Sequence, residues 1–203
     1  MKSLSEIETI VKRASKALGY SWGISEEIGK SIRLLELFSL PGLKHLNEYF
    51  VERDNNKFEN LNSISAKNLS RRSPYCPIIS GVSFLDQVSK LEGMKTIEIN
   101  NVAYPLLFIA FLSRSSEIIG KKIKVKLNEI EIYLNLNVNI YSNLIHKEFP
   151  KNVKTIEVNF IENKDNFTEE EWKNLYKLSE KTFVEESDSL KQVGAGAGLT
   201  DND

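Results

Sequence analysis

Ile7, Ile10, Val11, Ala14, Ala17 and Leu18 recur at helical spacing, which predicts a first helix over about 5–18, with Ser3 or Ser5 as its cap and Gly19 as its stop. A second helix is predicted from Ser25. Glu26 and Glu27 would then occupy the first turn, where carboxylates suit the positive end of the helix dipole, and Ile28, Ile32, Leu35 and Phe38 would line one face up to Pro41. A short third helix at about 42–50 would put Leu43, Leu46 and Phe50 on a common side. From Glu52 to Ser73 the chain is rich in Asn, Ser, Lys, Arg and Glu without a sustained period, so an irregular connection is expected. Ser73-Pro74-Tyr75-Cys76-Pro77 closes it, its prolines holding the cysteine in extended backbone. A helix near 83–91 follows, with Ser83 and Asp86 in capping positions and Gly93 beyond its end.

Beyond it, Lys95 to Ile99 has the pattern of a short strand. Tyr104-Pro105 then opens a run through Ile118 too uniformly apolar for a surface helix, and Gly120 ends it, which predicts a buried helix. Ile123, Val125 and Leu127 alternate with Lys122, Lys124 and Lys126, and the alternation continues through Ile130, Ile132, Leu134, Leu136, Val138 and Ile140. A two-residue turn at Asn128-Glu129 would pair 127 with 130, 125 with 132 and 123 with 134. Every apolar residue then shares one face, and Lys126 and Lys124 lie opposite Glu131 and Tyr133 on the other. Ile156, Val158 and Phe160 mark another strand. Thr168 and Glu171 form a capping box for a last helix over about 169–183, lined by Trp172, Leu175, Tyr176 and Phe183. The expected fold is α+β: a helical N-terminal third packed with an antiparallel sheet of about four strands, helices on one face, then a C-terminal helix and a Gly/Ala tail. Residues 1–183 would form a single domain with an irregular connection at 52–77, and 184–203 a flexible or docking tail.

Composition narrows the function. The 203 residues, 41% hydrophobic and 27% charged, suit one globular domain, and 27 Lys plus Arg against 28 Asp plus Glu create no field to recruit nucleic acid or an anionic membrane. One cysteine and two histidines supply neither a disulfide framework nor a structural zinc cluster, so a structural zinc fold is excluded and no metal-ligating residue is assigned, while metal dependence does not follow from the sequence. The longest apolar run, Leu106 to Leu112, falls far short of the ~20 residues that span a bilayer, and no signal-peptide core follows Met1-Lys2-Ser3. A cytoplasmic, non-membrane protein is the expectation.

Three segments carry candidate chemistry. Gly194-Ala195-Gly196-Ala197-Gly198 is a thin backbone able to thread a cleft, and Asp201 and Asp203 concentrate charge at its end, although composition alone also fits a disordered tail. Trp22 at a helix entrance, with Glu26 and Glu27 one turn on, could frame a pocket in which a carboxylate serves as general base or binds a hard cation with Asp201 or Asp203. The bland alternative makes Trp22 a core anchor, Ser25 a cap and the two glutamates complements to the dipole. Cys76, a few residues after Arg71 and Arg72, is either a thiolate stabilised by guanidinium charge or a small buried hydrophobe. The only histidines available as its base, His45 and His146, are expected at the surface or at helix ends.

Ser3-Leu4-Ser5-Glu6-Ile7-Glu8, the stretch from Gly19 to Glu27, Cys76-Pro77-Ile78 and the ending Gly194 to Asp203 resemble a bacterial family catalogued as domain of unknown function 3726. That resemblance implies a bacterial cytoplasmic protein whose tail is native to the domain; it brings no activity, cofactor or catalytic residue. The expected function is to bind or act on a small polar metabolite where the Trp22–Glu27 turn meets the tail and the Arg71–Cys76 segment. Its rival is a non-catalytic accessory protein that docks its acidic-ended tail into a partner enzyme or a second subunit. Neither reaction type nor cofactor follows from the sequence.

Overall fold

The computed structural model describes residues 2–54, 57–143 and 148–182. They form two compact units, one ending at Asn163 and the other beginning at Lys164. In chain order the first unit contains α1 (Leu4–Ala17), α2 (Trp22–Leu37), α3 (Gly42–Arg53), β1 (Lys67–Asn68), α4 (Pro77–Leu91), β2 (Ile97–Ala103), α5 (Pro105–Ile119), β3 (Lys122–Leu127), β4 (Ile130–Asn135), β5 (Asn139–Ser142) and β6 (Asn152–Ile161). None of the described helices is long and apolar enough to cross a membrane.

Ser3 caps α1, its hydroxyl accepting the Glu6 N–H. The cap of α2 is Ser21, which accepts the Ile24 N–H, so Ser25 lies buried within the helix and Glu26 and Glu27 fall in its second turn. Tyr20, buried beside the entrance, fixes where α2 starts, and packing overrides the weak helix propensity of Gly23. Helix α3 runs past the predicted end at 50, and its buried residues are Gly42, His45, Leu46 and Tyr49, while Leu43 is exposed. Helix α4 is much longer than the predicted 83–91. Pro77 needs no N–H partner in the first turn, and Cys76 caps the helix through Sγ, which accepts the Ile79 N–H at 3.4 Å. Gly81 lets α4 cross α5 closely, since a Cβ there would lie 2.2 Å from the Phe111 ring.

Helix α5 is buried through its first nine residues and ends at Gly120, whose φ of +65° closes it. It packs against α2, α4, β3 and β4. The sheet runs β1-β2-β6-β3-β4-β5 and is mixed, because β1 pairs in parallel with β2 and every other pair is antiparallel. Among the described residues six strands thus stand where about four are expected, the additions being the two-residue β1 and a separate β5. The hairpin register is as predicted, with Leu127 opposite Ile130, Val125 opposite Ile132 and Ile123 opposite Leu134. The long alternation to Ile140 is broken, however, where Leu136 and Asn137 take positive φ and turn β5 back on β4. Helix α5 holds that turn: the Ser116 hydroxyl accepts the Leu136 N–H at 3.0 Å, and the Ser113 hydroxyl donates to Asn137 Oδ1 at 2.6 Å.

In the second unit α6 (Glu169–Ser179) begins at the predicted capping box, in which Thr168 and Glu171 bond reciprocally, and a short 3₁₀ turn follows at Glu180–Thr182. Its Trp172, Leu175 and Tyr176 are exposed, and Phe167 stacks on Trp172. Phe183, His146 and the tail with Asp201 and Asp203 lie outside the described residues.

Candidate functional site

Helix α3 presents Tyr49 and Arg53 one turn apart on one side. Tyr20 reaches them from the α1–α2 turn, Phe58 and Asn60 from the connection after α3, and Cys76 and Ile79 from the start of α4. Together they line a cavity of about 320 Å³. Its polar groups form a chain: the Tyr20 hydroxyl lies 3.2 Å from that of Tyr49, which lies 3.0 Å from Cys76 Sγ. Burial pushes the Cys76 thiol up, against the Ile79 N–H and Tyr49 hydroxyl, which pull it down; it also raises the Tyr20 and Tyr49 phenols. All three groups are therefore neutral near pH 7, and the sulfur is a protonated hydrogen-bonding group with little nucleophilic character.

Among the described residues Arg53 carries the one formal charge on this lining. Its guanidinium carbon sits 4.5 Å from the centre of the Tyr20 ring, and Nη1 donates to the Leu18 carbonyl at 3.1 Å. Among the described residues no carboxylate forms an ion pair with it.

Glu59, between the lining residues Phe58 and Asn60, fixes the connection that carries them. Its carboxylate accepts the backbone N–H groups of Arg71, Arg72 and Ser73 at 3.1, 2.6 and 2.9 Å, while its own N–H donates to the Pro74 carbonyl and its carbonyl accepts the Cys76 N–H. Those backbone donors hold its carboxyl below the usual range. Arg71 and Arg72 thus contribute through their main chain to the loop that places Phe58 and Asn60.

Of the described residues singled out as candidate site residues from the sequence, Cys76 alone lines this cavity. Trp22 is 57% exposed, with the Lys12 and Lys16 ammonium groups 5.7 and 5.4 Å from its ring centre. Glu26 pairs with Lys12, and Glu27 braces α2 to α5 by pairing with Arg114 as well as with Lys30 on its own helix. Although burial opposes it, hydrogen bonds from Arg114 and Lys30 hold the Glu27 carboxyl below its ordinary range. Tyr20, Tyr49 and Arg53 went unnoticed because nothing local distinguishes them; the Tyr49–Arg53 spacing was the one available signal.

His45, expected at the surface or a helix end, is only 4% exposed and forms part of a second cleft, of about 670 Å³, between the start of α3 and residues 148–151. Its ring meets Tyr104 and Phe149 edge to face at 6.1 and 6.5 Å, which accounts for its burial, and Nδ1 has no hydrogen-bond partner among the described residues. Lys44–Glu148 and Lys151–Glu48 pairs flank it at 3.4 and 3.1 Å. Tyr104 separates the two cavities. It adopts φ 45° and ψ 58° between β2 and α5, its hydroxyl donates to Glu52 at 2.6 Å, and its ring lies 5.7 Å from that of Tyr49.

Burial holds the His45 imidazole below its ordinary range; Glu48 pulls the other way, and Lys44 and Lys151 add to the effect. The unfolded chain therefore binds a proton more readily at this site than the folded one. The stability associated with neutral His45 is present above about pH 6.5 and is lost as pH falls through the folded pKa, at no more than about 1.4 kcal/mol per pH unit. Denaturant midpoints between about pH 7 and 5 should fall less steeply for His45→Gln than for the wild type. Parallel curves would refute the assignment.

Among the described residues no three His, Cys, Asp or Glu side chains are grouped to hold a metal ion. The chain is similar to a family described as a protein of unknown function (DUF3726), whose family model matches residues 2–76. That match takes in α1 to α3, the connection and every cavity residue except Ile79. No curated protein and no solved structure matches the chain.

Proposed function

We propose that this protein binds a small polar molecule, without a covalent step, in the cavity between α3 and the start of α4. The expectation from sequence was the same class of ligand at the Trp22–Glu27 turn and the tail. The observation that carries the present reading is the convergence of two neutral hydroxyls, a thiol, an amide and one guanidinium on a concavity walled by Phe58 and Ile79. Few convergent polar groups in an apolar concavity of this size are the usual makings of a small-ligand site. The protonated state of Cys76 favours binding over thiol chemistry.

An NMR screen of small polar fragments tests this directly. Fragments should shift the resonances of Tyr49, Cys76 and Ile79. Asn60→Trp, an exposed rim position where a large ring fills the mouth, should abolish those shifts and leave the rest of the spectrum folded. Fragments that leave these resonances unmoved, or bind Asn60→Trp equally well, would overturn the proposal.

A further inference from the structure

We infer that the cavity's ligand is a small monocarboxylate, its charge held by Arg53 and its apolar part lying against Phe58 and Ile79. This rests on the binding role proposed above and assigns the ligand's chemical class. Arg53 supplies the argument. It is half-buried, one of its donors is used by the Leu18 carbonyl, and one face of its guanidinium stacks on Tyr20. No described carboxylate neutralises it, whereas eleven ion pairs occupy other charged side chains of the described residues. A stacked, planar guanidinium is arranged to meet a carboxylate edge-on, with two parallel hydrogen bonds. The N-terminal end of α4, at Cys76, adds positive potential at the same cavity.

The same surroundings favour one negative charge over two. A phosphate dianion needs several cations or a set of open backbone N–H groups. Arg53 is the lone cation on the lining among the described residues, Cys76 Sγ already accepts the Ile79 N–H, and the nearby cluster of N–H groups at Arg71–Ser73 is filled by Glu59. Phenols held neutral by burial can accept or donate hydrogen bonds but supply no charge. A volume of about 320 Å³ with Phe58 and Ile79 in the walls suits a compact aromatic or short aliphatic acid.

The test uses the full chain at low ionic strength, titrated with benzoate and butyrate and with their neutral amides, benzamide and butyramide, while the NMR shifts of Tyr49, Cys76 and Ile79 are followed. Each acid should bind about tenfold or more tightly than its amide, the scale of one charge-assisted bidentate contact. Arg53→Gln should remove that difference, weakening the acids far more than the amides; Arg53→Lys, which keeps the charge but loses the fork, should restore part of it. Equal affinity for acid and amide, or tighter binding of inorganic phosphate than of benzoate, would overturn the carboxylate assignment and leave the binding role standing. Acid discrimination that survives Arg53→Gln in a folded variant would also overturn it. If none of the four compounds moves these resonances, the carboxylate assignment falls, and the fragment screen decides separately whether the cavity binds small molecules at all.

Discussion

Gly81→Ala should destabilise the protein by about 3 kcal/mol, even though alanine is the better helix former by about 1 kcal/mol. The added Cβ would sit 2.2, 2.5 and 2.8 Å from three atoms of the Phe111 ring. Neither partner has room to give. Phe111 is fully buried on α5, and Gly81 lies in the stretch of α4 that crosses it, so relief requires the two helices to separate or the ring to leave its rotamer. Chemical denaturation measures the loss, and Phe111→Leu should recover part of it in the double variant. An unchanged or raised midpoint in Gly81→Ala would show that the crossing is looser than these distances imply.

Val125→Lys should abolish folding, while its neighbour tolerates change. Val125 lies between Val158 of β6 and Ile132 of β4 on the covered face of the sheet, all three buried, so a lysine ammonium there would be stranded without a carboxylate or water. Lys126 points to the other face, between Glu131 and Glu157, and is exposed. Lys126→Gln should shift stability by less than about 1 kcal/mol. Circular dichroism distinguishes the two variants, and a folded Val125→Lys would contradict the observed strand register.

The hairpin was legible because its information is local: three lysines alternate with three apolar residues, and a two-residue turn has only one register that keeps the apolar set together. The same reading predicted Lys126 opposite Glu131, which is observed, yet the ion pair on that face is the diagonal one, Lys124 to Glu131 at 2.8 Å. Where the pattern misled, tertiary packing decided. Leu136 and Val138 keep the apolar alternation, but serines on α5 hold the backbone there in a turn. Ser25 had acidic followers and so resembled a cap, although Ser21 performs that role because Tyr20 anchors the chain one residue earlier. The cavity was legible at Cys76 alone. Its other walls come from separate segments, and sequence spacing cannot show that Tyr20, Tyr49 and Asn60 meet.

Strand β6 lies between β2 and β3, and it is the last described strand in the chain. During synthesis, β2 and the β3–β4 hairpin therefore emerge well before the strand that joins them. Until residues 152–161 arrive, Ile97, Ile99, Ile123 and Val125 belong to two separate strand edges with unpaired backbone groups, a state open to pairing with other chains. Closing the sheet also requires bringing together segments far apart in sequence, which slows folding relative to the helical N-terminal part. A nascent chain that has emerged only as far as residue 151 would thus hold its helices and hairpin beside an unfinished sheet, and the interval before β6 inserts is when a chaperone has most to protect.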